Sequence, residues 1–159
     1  MNFDKNLLLK LGMMLVLLAA IVTPLAMTHE APPKQWEIEG VAVSPKINRN
    51  KMFVYPESGV LNKGKYIPLR LQHQDGLATV VGHVTDLYLK NHRLHFKAVL
   101  QEDRETKSIV EKIHNGHIKG VSIGFIPYGE YGVDIVELSI VDVPADDEAQ
   151  IETIKEIQP

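Results

Sequence analysis

V-S-I-G-F, Val121 to Phe125, and V-E-L-S-I-V-D-V-P-A, Val136 to Ala145, decide how this chain reads. Both fit strands, in which successive side chains point to opposite faces. In the first, Ser122 and Gly124 share one face, and Val121, Ile123 and Phe125 share the other. The serine thus lies opposite a core-facing apolar set, next to a residue with no side chain, where a peptide backbone could approach closely. The second stretch carries two acids, Glu137 and Asp142. An odd spacing sends them to opposite faces of an unbroken strand, so only one can share the face used by the serine. Glu137 lies mid-strand, where an unpaired charge is costly. Asp142 lies near the strand end before Pro144, closer to solvent. Glu137 is the preferred acid, with Asp142 the alternative.

A serine attacks an amide only with a base in reach and a third group to orient that base. His73 is the best base. It closes the apolar run L-R-L-Q-H (Leu69 to His73) and precedes Gln74-Asp75-Gly76, a turn signal. An imidazole exchanges its proton near neutral pH, as a general base must. Ser122, His73 and Glu137 are therefore the candidate catalytic set. The competing readings are a solvent-facing serine on an edge strand, a surface histidine in a turn and an outward-facing acid on a half-exposed sheet.

The other histidines fit structural roles. His92 and His95 point to opposite faces of a strand, and His114 and His117 span an Asn-Gly turn. Neither pair has acids at matching positions, so no metal site is expected. His83, in V-G-H-V, fits a place in the cleft, but fits a paired structural histidine better. No glycine-rich phosphate loop is present and no cofactor is expected.

The 159 residues suffice for one domain with a real core. A net charge of −3 leaves no basic footprint, which argues against nucleic acid as a direct partner. The absence of cysteine excludes disulfides, a thiol nucleophile and thiolate zinc sites. Lys5 and Lys10 flank an uncharged run from Leu11 to Met27, at the lower edge of the ~17–25 residues that cross a bilayer. The same run has the shape of a signal peptide. Residues 1–27 thus read as a membrane anchor, a cleaved signal or a docking helix. Membrane association would run through residues 7–27, and the lysines favour a cytoplasmic N-terminus.

Residues 28–35 (T-H-E-A-P-P-K-Q) read as a linker. The folded domain is expected over residues 36–145, followed by an acidic tail, 146–159, with a short frayed helix. Strands are expected over Trp36–Val43, Lys51–Tyr55, Tyr66–His73, Ala78–Leu89, Arg93–Leu100, Gly120–Tyr128 and Val133–Val143. One helix is expected over Glu102–Asn115, capped by Asp103 and stopped by Asn115-Gly116. This pattern suggests an α+β, mainly β domain: a small, mainly antiparallel β-barrel or sandwich with one or two helices.

Six pieces occur in a telling order: E-G-V-A-V (Glu39 to Val43), I-P-L-R-L-Q-H (Ile67 to His73), V-V-G-H-V-T-D-L (Val80 to Leu87), R-L-H-F-K-A-V-L (Arg93 to Leu100), I-H-N-G-H-I-K-G-V-S-I-G-F (Ile113 to Phe125) and V-E-L-S-I-V-D-V-P-A. That order resembles the prohead (capsid maturation) proteases of tailed phages, which share their fold with the herpesvirus assemblin proteases. The resemblance implies an assemblin-like antiparallel β-barrel, here preceded by an N-terminal hydrophobic helix. It implies a serine endopeptidase with Ser122 as nucleophile, His73 as base and Glu137 as acid. The implied substrates are the scaffolding protein, the major capsid protein and the enzyme itself, inside the immature capsid in the host cytoplasm. A homo-oligomer is compatible with it. The loop from Val43 to Tyr66 departs from the family in lacking an acidic, glycine-rich character. Two rivals stand beside this reading. One is a catalytically inactive barrel of the same fold with a structural or membrane-anchored role. The other is an unrelated exported β-domain that binds a partner.

Overall fold

β4, Arg93–Glu102, is the spine of the sheet, and its sequence shows why. Leu94, Phe96, Ala98 and Leu100 repeat every second residue and are all 0% exposed. A strand that alternates this strictly buries one whole face. The computed structural model describes residues 34–158. The remaining strands are β1 (Lys34–Val43), β2 (Pro68–Leu71), β3 (Val80–Lys90), β5 (Val121–Tyr128), β6 (Gly132–Ile140) and β7 (Ile151–Ile157). They form one seven-stranded sheet in the order β5-β6-β2-β3-β4-β1-β7. The pairings are antiparallel except β2 with β6, which run parallel. Two short helices, α1 (Pro56–Gly59) and α2 (Lys107–His114), and two 3-10 turns (Val60–Asn62 and Leu77–Thr79) complete the regular structure of the described residues.

The expected barrel is not closed by a continuous ladder. β5 and β7 are the two edges of the sheet, and they meet at the isolated bridge Gly120–Gln150. Val121 N–H donates to the Ala149 carbonyl at 3.1 Å, and Ile151 N–H to the Lys119 carbonyl at 2.7 Å. Gly40 permits this crossing, because a Cβ there would lie 2.0 Å from the Gln150 carbonyl oxygen.

Several local expectations need correction. The first strand starts at Lys34, inside the expected linker, because backbone pairing to Glu102 and Gln101 is indifferent to polar side chains. Residues 151–157 are strand β7 and no frayed helix. The isoleucines of I-E-T-I-K-E-I fit a helical spacing, but β1 offers an open edge from Gln35 to Gly40 that this segment pairs. Lys51–Tyr55 forms only an isolated bridge, Ile47–Phe53. The helix begins at Lys107 and not at Glu102. Asp103 caps the preceding turn, with Oδ1 accepting from the N–H groups of Glu105 and Thr106 at 2.8 Å each. These bonds, the one from Thr106 foremost, hold its carboxyl below the usual range. The helix ends as expected at Asn115-Gly116: Gly116 and His117 N–H donate to the carbonyls of Ile113 and Lys112, a Schellman closure. The hydrophobic segment 1–27 lies outside the described residues. Among those described, no helix is long and apolar enough to cross a membrane.

Asn62, 1% exposed, ties the loop after α1 to β6. Its Nδ2 donates to the carbonyls of Val133 (2.9 Å) and Gly59 (3.2 Å), and its Oδ1 accepts from Ile135 N–H (3.0 Å). The side chain stands in for a peptide unit beside the half of β6 that β2 does not reach. Asn62→Ala should leave these groups buried and unpaired and cost ~2–4 kcal/mol in urea denaturation of the full chain.

Candidate active site

Strand register places five small or polar residues on one face at the β5–β6–β2 end of the sheet. Ser122 lies opposite Ser139, and Gly124 opposite Glu137. The parallel ladder sets Arg70 beside Ser139. Directly paired residues share a face. Leu69, Leu138, Val121 and Ile140 take the other face and are buried in the core. The glycine works differently from the sequence expectation. A Cβ on Gly124 would lie 2.5 Å from Glu137 Cγ and 2.8 Å from its Oε1, so the space is filled by the carboxylate side chain.

His73 arrives from β2 but lies beyond its end. After Leu71 the chain enters two consecutive left-handed residues, Gln72 (φ 54°) and His73 (φ 53°). Such non-glycine conformations cost ~1–3 kcal/mol each and persist only when neighbours enforce them. The enforcing bonds are Gln72 N–H to the Ile140 carbonyl (2.9 Å), Gln74 N–H to the Leu71 carbonyl (3.0 Å) and His73 N–H to Ser139 Oγ (3.2 Å). The turn brings His73 Nδ1 to 2.5 Å from Glu137 Oε1. With Nδ1 donating to the carboxylate, Nε2 is left as the basic nitrogen. Glu137 Oε1 also accepts from Ser139 Oγ at 3.4 Å, and its Oε2 lies 3.3 Å from Arg70 Nε.

Ser122 and His73 line the same cleft, of about 650 Å³. Ser122 is 8% exposed. Met52, Val54, Phe125 and Val143 give the cleft an apolar lining. Its far wall is the loop after β6. Asp146 accepts from Ser44 N–H (2.6 Å) and Oγ (2.8 Å), and Arg49 donates to the Pro144 carbonyl at 2.5 Å. Glu148 takes Lys46 and Arg93. The Lys46 ammonium, with Arg93 beside it, holds the Glu148 carboxyl below its usual range. A depressed folded pKa means that this contribution is full above about pH 4.5 and is lost as pH falls through the folded value. Amide protection factors over residues 144–150 should therefore fall in acid before those of the central strands do.

The acid beside His73 is Glu137. Asp142 lies past the end of β6, exposed, with Oδ1 accepting from Val143 N–H at 2.8 Å. Two residues of this cluster, Arg70 and Ser139, lie outside the catalytic set expected from the sequence. The period of two in P-L-R-L and E-L-S carried the signal, because both share parity with the face of the acid. The other histidines lie elsewhere. His95 is buried and stacked on Tyr88 (5.4 Å), His83 stacks on Tyr66 (6.1 Å), and His114 meets the Trp36 ring at 6.1 Å. His92 occupies the left-handed β3–β4 turn with Asn91. Among the described residues no three metal-binding side chains cluster.

Gly124→Ala tests the packing that sets the acid. The added methyl should push the carboxylate off His73, visible as loss of the Nδ1–Oε1 contact in a crystal structure of the variant. Overpacking should lower stability by ~1–3 kcal/mol.

Residues 54–158 match the model of a family described as caudovirus prohead serine protease. No curated protein matches the chain. Among solved structures, the Kaposi's sarcoma-associated herpesvirus protease in complex with a hexapeptide phosphonate inhibitor aligns with TM-score 0.54 at 11% identity, over 79% of this chain and 66% of that one. The varicella-zoster virus protease aligns with TM-score 0.53 at 11% identity, over 79% and 65%. The chain thus spans about two thirds of these enzymes. At such identity the likeness is one of fold, and it is the assemblin-like fold expected from the sequence.

Proposed function

Because the chain belongs to the caudovirus prohead serine protease family, we propose that it is an endopeptidase of capsid maturation in which Ser122, His73 and Glu137 act as nucleophile, base and orienting acid. The observation that carries this reading is the 2.5 Å contact between His73 Nδ1 and Glu137 Oε1, at the wall of the cleft that also holds Ser122. A carboxylate on Nδ1 holds the ring orientation and stabilises the imidazolium that forms when Nε2 takes a proton.

The reaction then follows in two halves. Ser122 Oγ attacks the scissile carbonyl carbon while its proton passes to His73 Nε2. The tetrahedral intermediate collapses with cleavage of the C–N bond, and the imidazolium gives its proton to the leaving amine. Water next attacks the acyl-enzyme ester, again losing a proton to Nε2. Collapse of that intermediate releases the acid and returns the proton to Ser122. The apolar cleft lining suits the side chains of an extended peptide.

The substrates in this reading are the scaffolding protein and the major capsid protein, followed by the enzyme itself, all enclosed in the immature capsid. That the herpesvirus relative is solved in complex with a hexapeptide phosphonate inhibitor supports a peptide substrate. Self-association belongs to the same reading, since that relative is also solved with a dimer disruptor. The assemblin-like barrel would be completed at the Gly120–Gln150 bridge.

The test is co-expression of the full chain with its scaffolding and capsid proteins, followed by quantitation of cleaved products. Ser122→Ala and His73→Ala should each lower processing by at least ~10³-fold, and Glu137→Gln by ~10²–10⁴-fold. Equal processing by wild type and Ser122→Ala would overturn the mechanism and favour the inactive barrel.

A further inference from the structure

We propose that Arg70 is a positioning residue, which locks the Glu137 carboxylate onto His73 and ties that acid to the turn carrying the histidine. The inference rests on the catalytic reading of His73 and Glu137 given above. Arg70 lies in a parallel ladder between two core leucines, so its side chain must leave on the face of Ser139 and Glu137. There it makes two contacts at once. Nε lies 3.3 Å from Glu137 Oε2, and Nη1 donates to the Gln74 carbonyl at 2.9 Å. Gln74 directly follows His73. One guanidinium therefore spans from the strand that carries the acid to the turn that carries the base.

Three features favour positioning over a solvated surface charge. The Arg70 and Glu137 side chains are 21% and 13% exposed, so screening at this pair is reduced. Arg70 Nε is buried and lacks an aligned hydrogen bond, which leaves Glu137 Oε2 as the acceptor it faces. The other acid in reach, Asp75, is fully exposed and 3.6 Å away, a weak competitor.

The chemistry explains why such a group is useful. The last torsion of a glutamate is soft, so a carboxylate free at one oxygen swings easily. With Oε2 held by the arginine, Oε1 stays aimed at Nδ1. A planar guanidinium anchored through Nη1 to the Gln74 carbonyl keeps its charge beside Oε2, which a lysine ammonium does not reproduce.

The experiment uses the full chain and a fluorophosphonate reporter that phosphonylates activated serines, so that no natural substrate is required. Labelling is measured against reagent concentration to separate the maximal rate from half-saturation. Arg70→Met should lose about 10²-fold in maximal rate, the scale of a misplaced catalytic group, with half-saturation unchanged. Arg70→Lys should fall between wild type and Arg70→Met. Guanidinium at millimolar concentration should restore several-fold of the labelling of Arg70→Ala and none of that of Glu137→Gln. Arg70→Met labelling at the wild-type rate would overturn the inference, as would a loss confined to half-saturation or an absence of guanidinium rescue in a variant that unfolds with wild-type Tm. Ser122→Ala is the control for the underlying reading. If wild type and Ser122→Ala label alike, the catalytic reading itself fails; if only wild type labels and Arg70 proves neutral, the positioning role alone falls.

Discussion

The site depends on a parallel ladder only three residues long, Leu69, Arg70 and Leu71 against Leu138, Ser139 and Ile140. Among the described residues it is the one parallel pairing of an otherwise antiparallel sheet. Its hydrogen bonds set register, and register sets faces. The leucines and Ile140 enter the core, while Arg70, Ser139 and Glu137 gather on the opposite side. A shift by one residue would invert every one of these assignments. Burial of Leu69 and Leu138, at 0% and 2% exposure, opposes such a slip.

The ladder also supports the strained turn beyond it. Gln72 donates to Ile140, and His73 to Ser139, so the left-handed pair is held by the strand that carries the acid. The buried charges follow a similar logic. Glu137 would be costly alone in its half-buried position, but one oxygen faces His73 and Ser139 and the other faces Arg70. The small side chains of Ser122, Gly124 and Ser139 leave the room that this cluster fills.

Much of this was legible in the chain, for reasons specific to particular residues. The alternation of Leu94, Phe96, Ala98 and Leu100 announces a buried strand, and the parity of Glu137 against Asp142 allows only one acid on the serine's face. Gly116 after Asn115 marks the helix end. Other features depend on partners that no local pattern names. Ile151, Ile154 and Ile157 fit a helical spacing and became a strand because β1 presents an open edge. Gly124 reads as room for a peptide but accommodates Glu137, a fact created by pairing across strands. The role of Arg70 depends on a parallel partner distant in sequence, which cannot be read from its neighbours.

The span between His73 and Glu137 has one more consequence. Their contact joins positions 64 residues apart, with β3, β4, α2 and β5 lying between them in the chain. Loop closure of that length makes the contact non-local, and such contacts tend to form late in folding. A chain still emerging from the ribosome contains His73 before the strand that holds its turn. On the proposed reading, the enzyme is latent by topology during its own synthesis. On that reading, cutting ability switches on only when the sheet is whole.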